Sequence, residues 1–455
     1  MARAGTKEIF EEMPVAKALR VMAVPTIFSQ IIILIYNLAD TFFIGKTDNP
    51  YMVAGVSLML PVFNLCLAFA GLAGIGGGAL ISRLLGVHRE EEAKKVSAFC
   101  FWLSAGIAAC FSVAMLFFAE PFLRALGASD QTFPYAYQYS FCVVVLGAVP
   151  TVLSNVMSNL LRSEGISREA GFGIAMGGCM NIVLDPIFMF VIMPKGKEIL
   201  GVGIATCLSN LLVCLFFFYV IAKRQGSKGV VRLGLRRGLP ERESLKSIFY
   251  VGLPSAVGSL LFDLDYIVID KLMSGYHDIA LAAIGIVLKA ERLPLNVGIG
   301  ICQGMTPIVA YNYSSKNYRR MKETIRTARL AGIITGIISI ILYEIFAAQI
   351  LEIFIREPQT VELGTAFLRA RCLATPLMFL SFFTLHTFQG FGEGGKAMFL
   401  AVMRWLAFNI PMLFLLNYLF GMYGIVWAQV TADILTVSLS FYVFLTYQKK
   451  KFPDE

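Results

Sequence analysis

Apolar runs of about twenty residues recur from one end of this chain to the other, each long enough for a helix to cross a hydrocarbon core. They fall near 20–44, 52–82, 96–118, 134–161, 170–193, 201–222, 247–273, 279–311, 327–348, 362–388, 397–420 and 423–446. A spanning β-barrel would instead show alternating segments of roughly ten residues, and none is evident. Inside a bilayer no water satisfies backbone N–H and C=O groups, so runs of this length must be helices. The expected fold is an all-α integral membrane protein with twelve transmembrane helices in two pseudo-symmetric six-helix lobes. Of the 455 residues, 57% are hydrophobic and only 15% charged, against about 25% charged in soluble domains.

A net charge of +9 raises nucleic acid as a partner, but the placement of the cations argues against it. Counting spans from the N-terminus puts 28 of the 39 lysines and arginines on one face and six on the other. That bias predicts a multi-pass protein of the cell membrane with both termini cytoplasmic. The nine cysteines all lie in apolar stretches without a CxxC pair, so they read as small apolar residues rather than disulfides or metal ligands. No cleavable signal sequence is evident, because residues 1–19 are polar and the first apolar run is long enough to remain as a span.

The chain reads as an internal duplication. Pro25 in VMAVPTIF matches Pro254 in YVGLPSAV, and Pro150 in GAVPTVLSN matches Pro376 in LATPLMFLS. The stretch after Gly78 matches that after Gly304, Asn181 and Asn409 fall in matching spans, and Gly203-Ile-Ala matches Gly424-Ile-Val. Six spans per half is an even number, so the repeats are parallel and a transport site is expected between or inside the lobes. The expected boundaries are 1–222 for the first lobe, 223–246 for a basic cytoplasmic linker and 247–455 for the second lobe.

Two acids stand out. Asp40 and Asp185 each interrupt an apolar run, with Asn37 three residues before the first and Asn181 four before the second. A carboxylate within a bilayer is costly and marks a functional site by default. At about 1.5 Å per residue, Asp40 lies about 9 Å inside the outer end of its span, Asp185 about 14 Å and Thr206 about 8 Å. Pro186 follows Asp185 and removes a helical hydrogen bond beside it. The set Asp40, Asp185, Asn181, Asn37 and Thr206, with Tyr36 and Asn155 included among the candidates, is expected to bind and release a proton or a small cation such as Na⁺. Two chemistries stay open: a carboxyl pair that carries a proton, or an oxygen cage for Na⁺.

The second half carries Asp263, Asp265 and Asp270 in span 7 and Lys289, Glu291 and Arg292 in span 8. Asp263, Asp265 and Lys289 fall at similar depths, so an ion pair between the two spans is feasible. Structural pairing and a substrate or coupling role are both open for this set. The glycines at 71, 74, 76, 77 and 78 let helices approach closely. They are not a phosphate loop, since no Gly-Lys-Ser/Thr follows.

These features together resemble the multidrug and toxic compound extrusion (MATE) transporters. The resemblance rests on Pro25 with Asp40, Pro150…Asn155…Leu161-Arg-Ser-Glu-Gly165, Asn181-x-x-x-Asp185-Pro186, Gly203-Ile-Ala-Thr206 and Gly304-Met-x-Pro307…Tyr311-Asn312. The branch that includes DNA-damage-inducible transporters is similar in keeping its acids in the first lobe, where Asp40, Asn181, Asp185 and Thr206 stand at cation-site positions. Another branch uses acids in spans 7 and 10, and span 10 here has none. The resemblance implies a secondary antiporter, not an enzyme, that exports organic, often cationic, compounds in exchange for H⁺ or Na⁺. The alternative in the same superfamily is a lipid-linked saccharide flippase. The expected partners are small organic substrates, the coupling ion and the lipid bilayer, with no cofactor, no nucleic acid and a monomeric state.

Overall fold

A computed structural model describes residues 5–47, 49–224, 229–234 and 238–452. Ten helices are long and apolar enough to span a membrane, and two bent helix pairs bring the number to twelve. In chain order they are α1 (Val15–Gly45), α2 (Pro50–Gly86), α3 (Glu90–Ala125), α4 (Phe133–Leu146 with Ala148–Ser163), α5 (Ser167–Ile192), α6 (Glu198–Arg224), α7 (Arg242–Met273), α8 (Asp278–Ser314), α9 (Tyr318–Phe354), α10 (Pro358–Cys372 with Thr375–Phe391), α11 (Gly394–Phe420) and α12 (Met422–Lys451). No strand occurs among the described residues.

The bends occur in the fourth span of each half, 50° in α4 and 46° in α10. In α4 the break is Gly147, where a Cβ would stand 2.6 Å from the Val143 carbonyl oxygen. In α10 the second segment opens with Pro376 in its first turn, where the missing N–H costs no helical bond. Pro186 leaves the Ile182 carbonyl without its helical donor, and a π-helical turn, Phe188–Ile192, follows at once.

The two halves meet along α1 against α8 and α2 against α7. Glycines set the closeness of this seam. A Cβ on Gly252 would collide with the Leu72 carbonyl, one on Gly76 with the Ile248 carbonyl, and one on Gly304 with the Ala23 backbone. All of these lie in the half of the bundle nearer the basic ends.

Two segments stitch those same ends together. Residues around the π-helical turn Glu8–Glu12 lie across both halves. Thr6 Oγ1 donates to the Glu164 carbonyl at 2.8 Å. From the other half, Arg320 donates to the carbonyls of Phe10 and Met13 at 2.6 Å each and of Ile9 at 3.1 Å. Asn312 Nδ2 also donates to the Phe10 carbonyl at 3.0 Å. The described part of the linker is laid along the first half. Val230 N–H donates to Glu164 Oε1 at 2.8 Å, Trp102 Nε1 to the Leu233 carbonyl at 2.8 Å, and Glu241 N–H to Glu92 Oε1 at 2.7 Å. The rest of the linker, 225–228 and 235–237, lies outside the described residues.

Candidate functional site

The register between α1 and α5 brings the two acids together. Gly171, Gly178 and Asp185 recur every seven residues on one face of α5. Without a Cβ, Gly171 admits the Pro25 backbone, and Gly178 admits Ile32 and Tyr36, whose Cδ1 would lie 3.1 Å from an added Cβ. The helices run parallel, so the next step of this register places Asp40 opposite Asp185. Their carboxyl groups are close enough to interact electrostatically.

Asp185 is fully buried, and Asn181 and Thr206 nearly so. Asn181 Nδ2 donates to Asp185 Oδ1 and to Thr206 Oγ1, both at 3.3 Å. One amide hydrogen therefore braces Asp185 within α5, and the other ties α5 to α6. Three acceptor oxygens remain buried without a donor: Asp40 Oδ1, Asp185 Oδ2 and Asn181 Oδ1. Unpaired buried oxygens of this kind are costly unless a proton or cation joins them. Tyr36 and Tyr139 stand within electrostatic reach of both carboxyls.

The structure thus gathers Asp40, Asp185, Asn181, Thr206 and Tyr36. Asn37 is exposed. Residues three and four before Asp40 share its helix face but sit on either side of it, about 100° apart, and α5 lies on the Tyr36 side. Asn155 is half-buried, and its Nδ2 donates to the Thr151 carbonyl of its own helix at 2.9 Å. No described hydrogen bond links it to the acids. Sequence reasoning misses Tyr139, because it alternates with Tyr135 and Tyr137 and nothing marks which of them turns inward.

In the second half the pair that depth allows between Lys289 and Asp263 or Asp265 is not among the described ion pairs. Lys289 is exposed, and no described ion pair includes it. Depth fixes position along a helix axis but not around it. Glu291 is instead bidentate with Arg371, at 2.8 and 3.0 Å. Asp433 pairs with Arg404 at 2.8 Å, whose guanidinium also contacts Ser381. Buried Asp265 accepts from Asn409 Nδ2 at 2.6 Å, and Gln429 Nε2 donates to Asp433 Oδ2 at 2.8 Å. Arg292 lies over the Tyr266 ring, 5.4 Å from its centroid. Asp263 reaches across the seam and accepts from Asn64 Nδ2 at 2.9 Å. Among the described residues no group of three or more His, Cys, Asp and Glu could hold a metal ion.

The family model MatE matches the chain twice, over residues 25–187 and 254–415. The chain belongs to the MatE family. Within it, the multidrug export protein MepA of Staphylococcus aureus (strain MRSA252) is 28% identical over 427 residues, covering 94% of this chain and 92% of MepA. MepA of Staphylococcus haemolyticus (strain JCSC1435) is 27% identical over 446 residues, covering 98% and 97%. A solved structure described as the outward-facing conformation of a multidrug resistance MATE family transporter of the MOP superfamily superposes with a TM-score of 0.92 at 24% identity, covering 99% and 100%. That likeness is one of fold: the MatE chain is a multi-pass helical membrane protein.

Proposed function

We propose that the chain is a secondary antiporter that exports organic, often cationic, compounds in exchange for H⁺ or Na⁺ by alternating access. The observation that carries this reading is the facing pair Asp40 and Asp185 with three buried acceptor oxygens lacking donors. The names of its relatives, multidrug export proteins, support the cargo class. On this reading both termini are cytoplasmic, the basic ends of the spans face the cytoplasm, and the unit is a monomer of two six-helix lobes, 1–222 and 247–455, joined by the linker.

The chemistry follows from like charge at close range. Two bare carboxylates in contact within a low dielectric repel strongly. A proton bridging Asp40 and Asp185 removes that repulsion. A Na⁺ ion held by Asp40 Oδ1, Asp185 Oδ2 and Asn181 Oδ1 would do the same. Either ligand favours the geometry in which α1 lies close to α5, and its loss favours their separation. A ligand shifts such an equilibrium only through its different affinity for the two states. Organic substrate enters from the basic face when the seam opens there. Ion binding from the opposite face then favours release. The acid pair disfavours the flippase alternative, which needs a cationic cavity.

Dye efflux from everted vesicles tests this directly. An imposed pH gradient or Na⁺ gradient should drive transport by wild type, and the gradient that works identifies the ion. Asp40→Asn and Asp185→Asn should each abolish gradient-driven efflux while the protein remains folded and inserted. Wild-type efflux from both variants would sink the assignment.

A further inference from the structure

Near the basic ends of the spans, α9 and α12 both pack on the second segment of α10 and leave a groove between them. Its volume is about 430 Å³. Lys322, Arg326 and Arg329 line one wall, and Phe444, Leu445 and Gln448 line the other. The three cations are spaced four and three residues apart, which places them in one stripe along α9. Arg329 reaches the floor of the groove. Its guanidinium lies 4.3 Å from the Phe444 ring centroid, and Nη2 donates to Thr384 Oγ1 at 3.2 Å. Its Nε is buried with no acceptor. Arg326 is exposed, and no described ion pair includes it. Further from the basic end the lining becomes apolar, with Leu330 56% and Leu445 51% exposed. The groove is therefore cationic near the basic ends of its helices and apolar further along them.

We propose that this groove binds an anionic phospholipid. The phosphodiester sits among Lys322, Arg326 and Arg329, while an acyl chain runs along Leu330, Ile333 and Leu445. Basic pockets between spans recognise lipid headgroups in this way. The site is on the second half, distant in the chain from Asp40 and Asp185, and it does not depend on the transport reading.

Native mass spectrometry of the purified full-length protein tests the proposal, using mixed micelles with equal amounts of phosphatidylglycerol and phosphatidylcholine. Phosphatidylglycerol should be retained preferentially. Arg326→Ala should reduce that retention about five-fold, as expected for one cation near a charged headgroup, and Arg326→Glu should reduce it further. Arg326→Gln, which keeps length and polarity, should show the same loss and guards against a folding defect. Alanine replacements at Lys449, Lys450 and Lys451, outside the groove, should leave the preference in place. Equal retention of the two lipids, or an unchanged preference in the Arg326 variants, would overturn the site. Displacement of phosphatidylglycerol by millimolar inorganic phosphate would reveal a phosphate-ion site and overturn the lipid reading.

Discussion

Asn181 holds the candidate site in shape. Its amide hydrogens go to Asp185 and Thr206, and its oxygen is buried without a donor, as are Asp40 Oδ1 and Asp185 Oδ2. Asn181→Leu removes both bonds and one acceptor. Hydrogen bonds to charged groups contribute about 1.5–3 kcal/mol, so the variant should raise the ion concentration for half-maximal efflux by an order of magnitude or more. A full ion titration with wild-type midpoint in the variant would refute this role. Asn37→Ala should leave the same titration unchanged, because Asn37 is exposed. The acids were legible in the sequence, since charge inside an apolar run is conspicuous. The choice between Asn37 and Tyr36 was not, because both sit within one turn of Asp40 and only the position of α5 selects between them. The seven-residue spacing of Gly171, Gly178 and Asp185 was available as a signal for that position.

At the scale of helices, run length was enough to count the spans, since the bilayer fixes how long a helix must be. Partner choice between spans was not, as Lys289 illustrates. The Arg404–Asp433 and Glu291–Arg371 pairs depend on which faces of α8, α10, α11 and α12 converge, and single-chain periodicity does not report that. Arg404→Met strands Asp433 in the interior and should destabilise the protein by about 3–5 kcal/mol. The double replacement Arg404→Met with Asp433→Leu removes both charges and should recover most of that loss. Thermal unfolding in detergent measures both, and an equally unstable double variant would contradict the pairing. The seam offers a second test. Gly252→Val forces side-chain carbon into the Leu72 carbonyl, and overpacking of this kind costs about 1–3 kcal/mol. A variant that keeps wild-type thermal stability would show that α2 and α7 need not approach so closely.

For the whole molecule, closure at the basic ends is shared between the glycine seam and the segment around Glu8–Glu12. Arg320 supplies three of the hydrogen bonds that hold this segment to the second half. Arg320→Ala should shift the resting population toward opening at that face. Spin-label distances between the basic ends of α1 and α8 should broaden toward longer values, and an unchanged distribution would exclude a latching role. The duplication was readable from the ordered matches of Pro25 with Pro254 and Pro150 with Pro376. The latch was not, because its acceptors are backbone carbonyls that any residue supplies.

The placement of that first segment bears on how the protein is handled. Its chain bridges the two halves, which part in the alternating-access cycle proposed above. A bulky fusion partner attached just ahead of Gly5 would act as a wedge there and bias any measured turnover. Attachment beyond Lys451 keeps the moving joint clear.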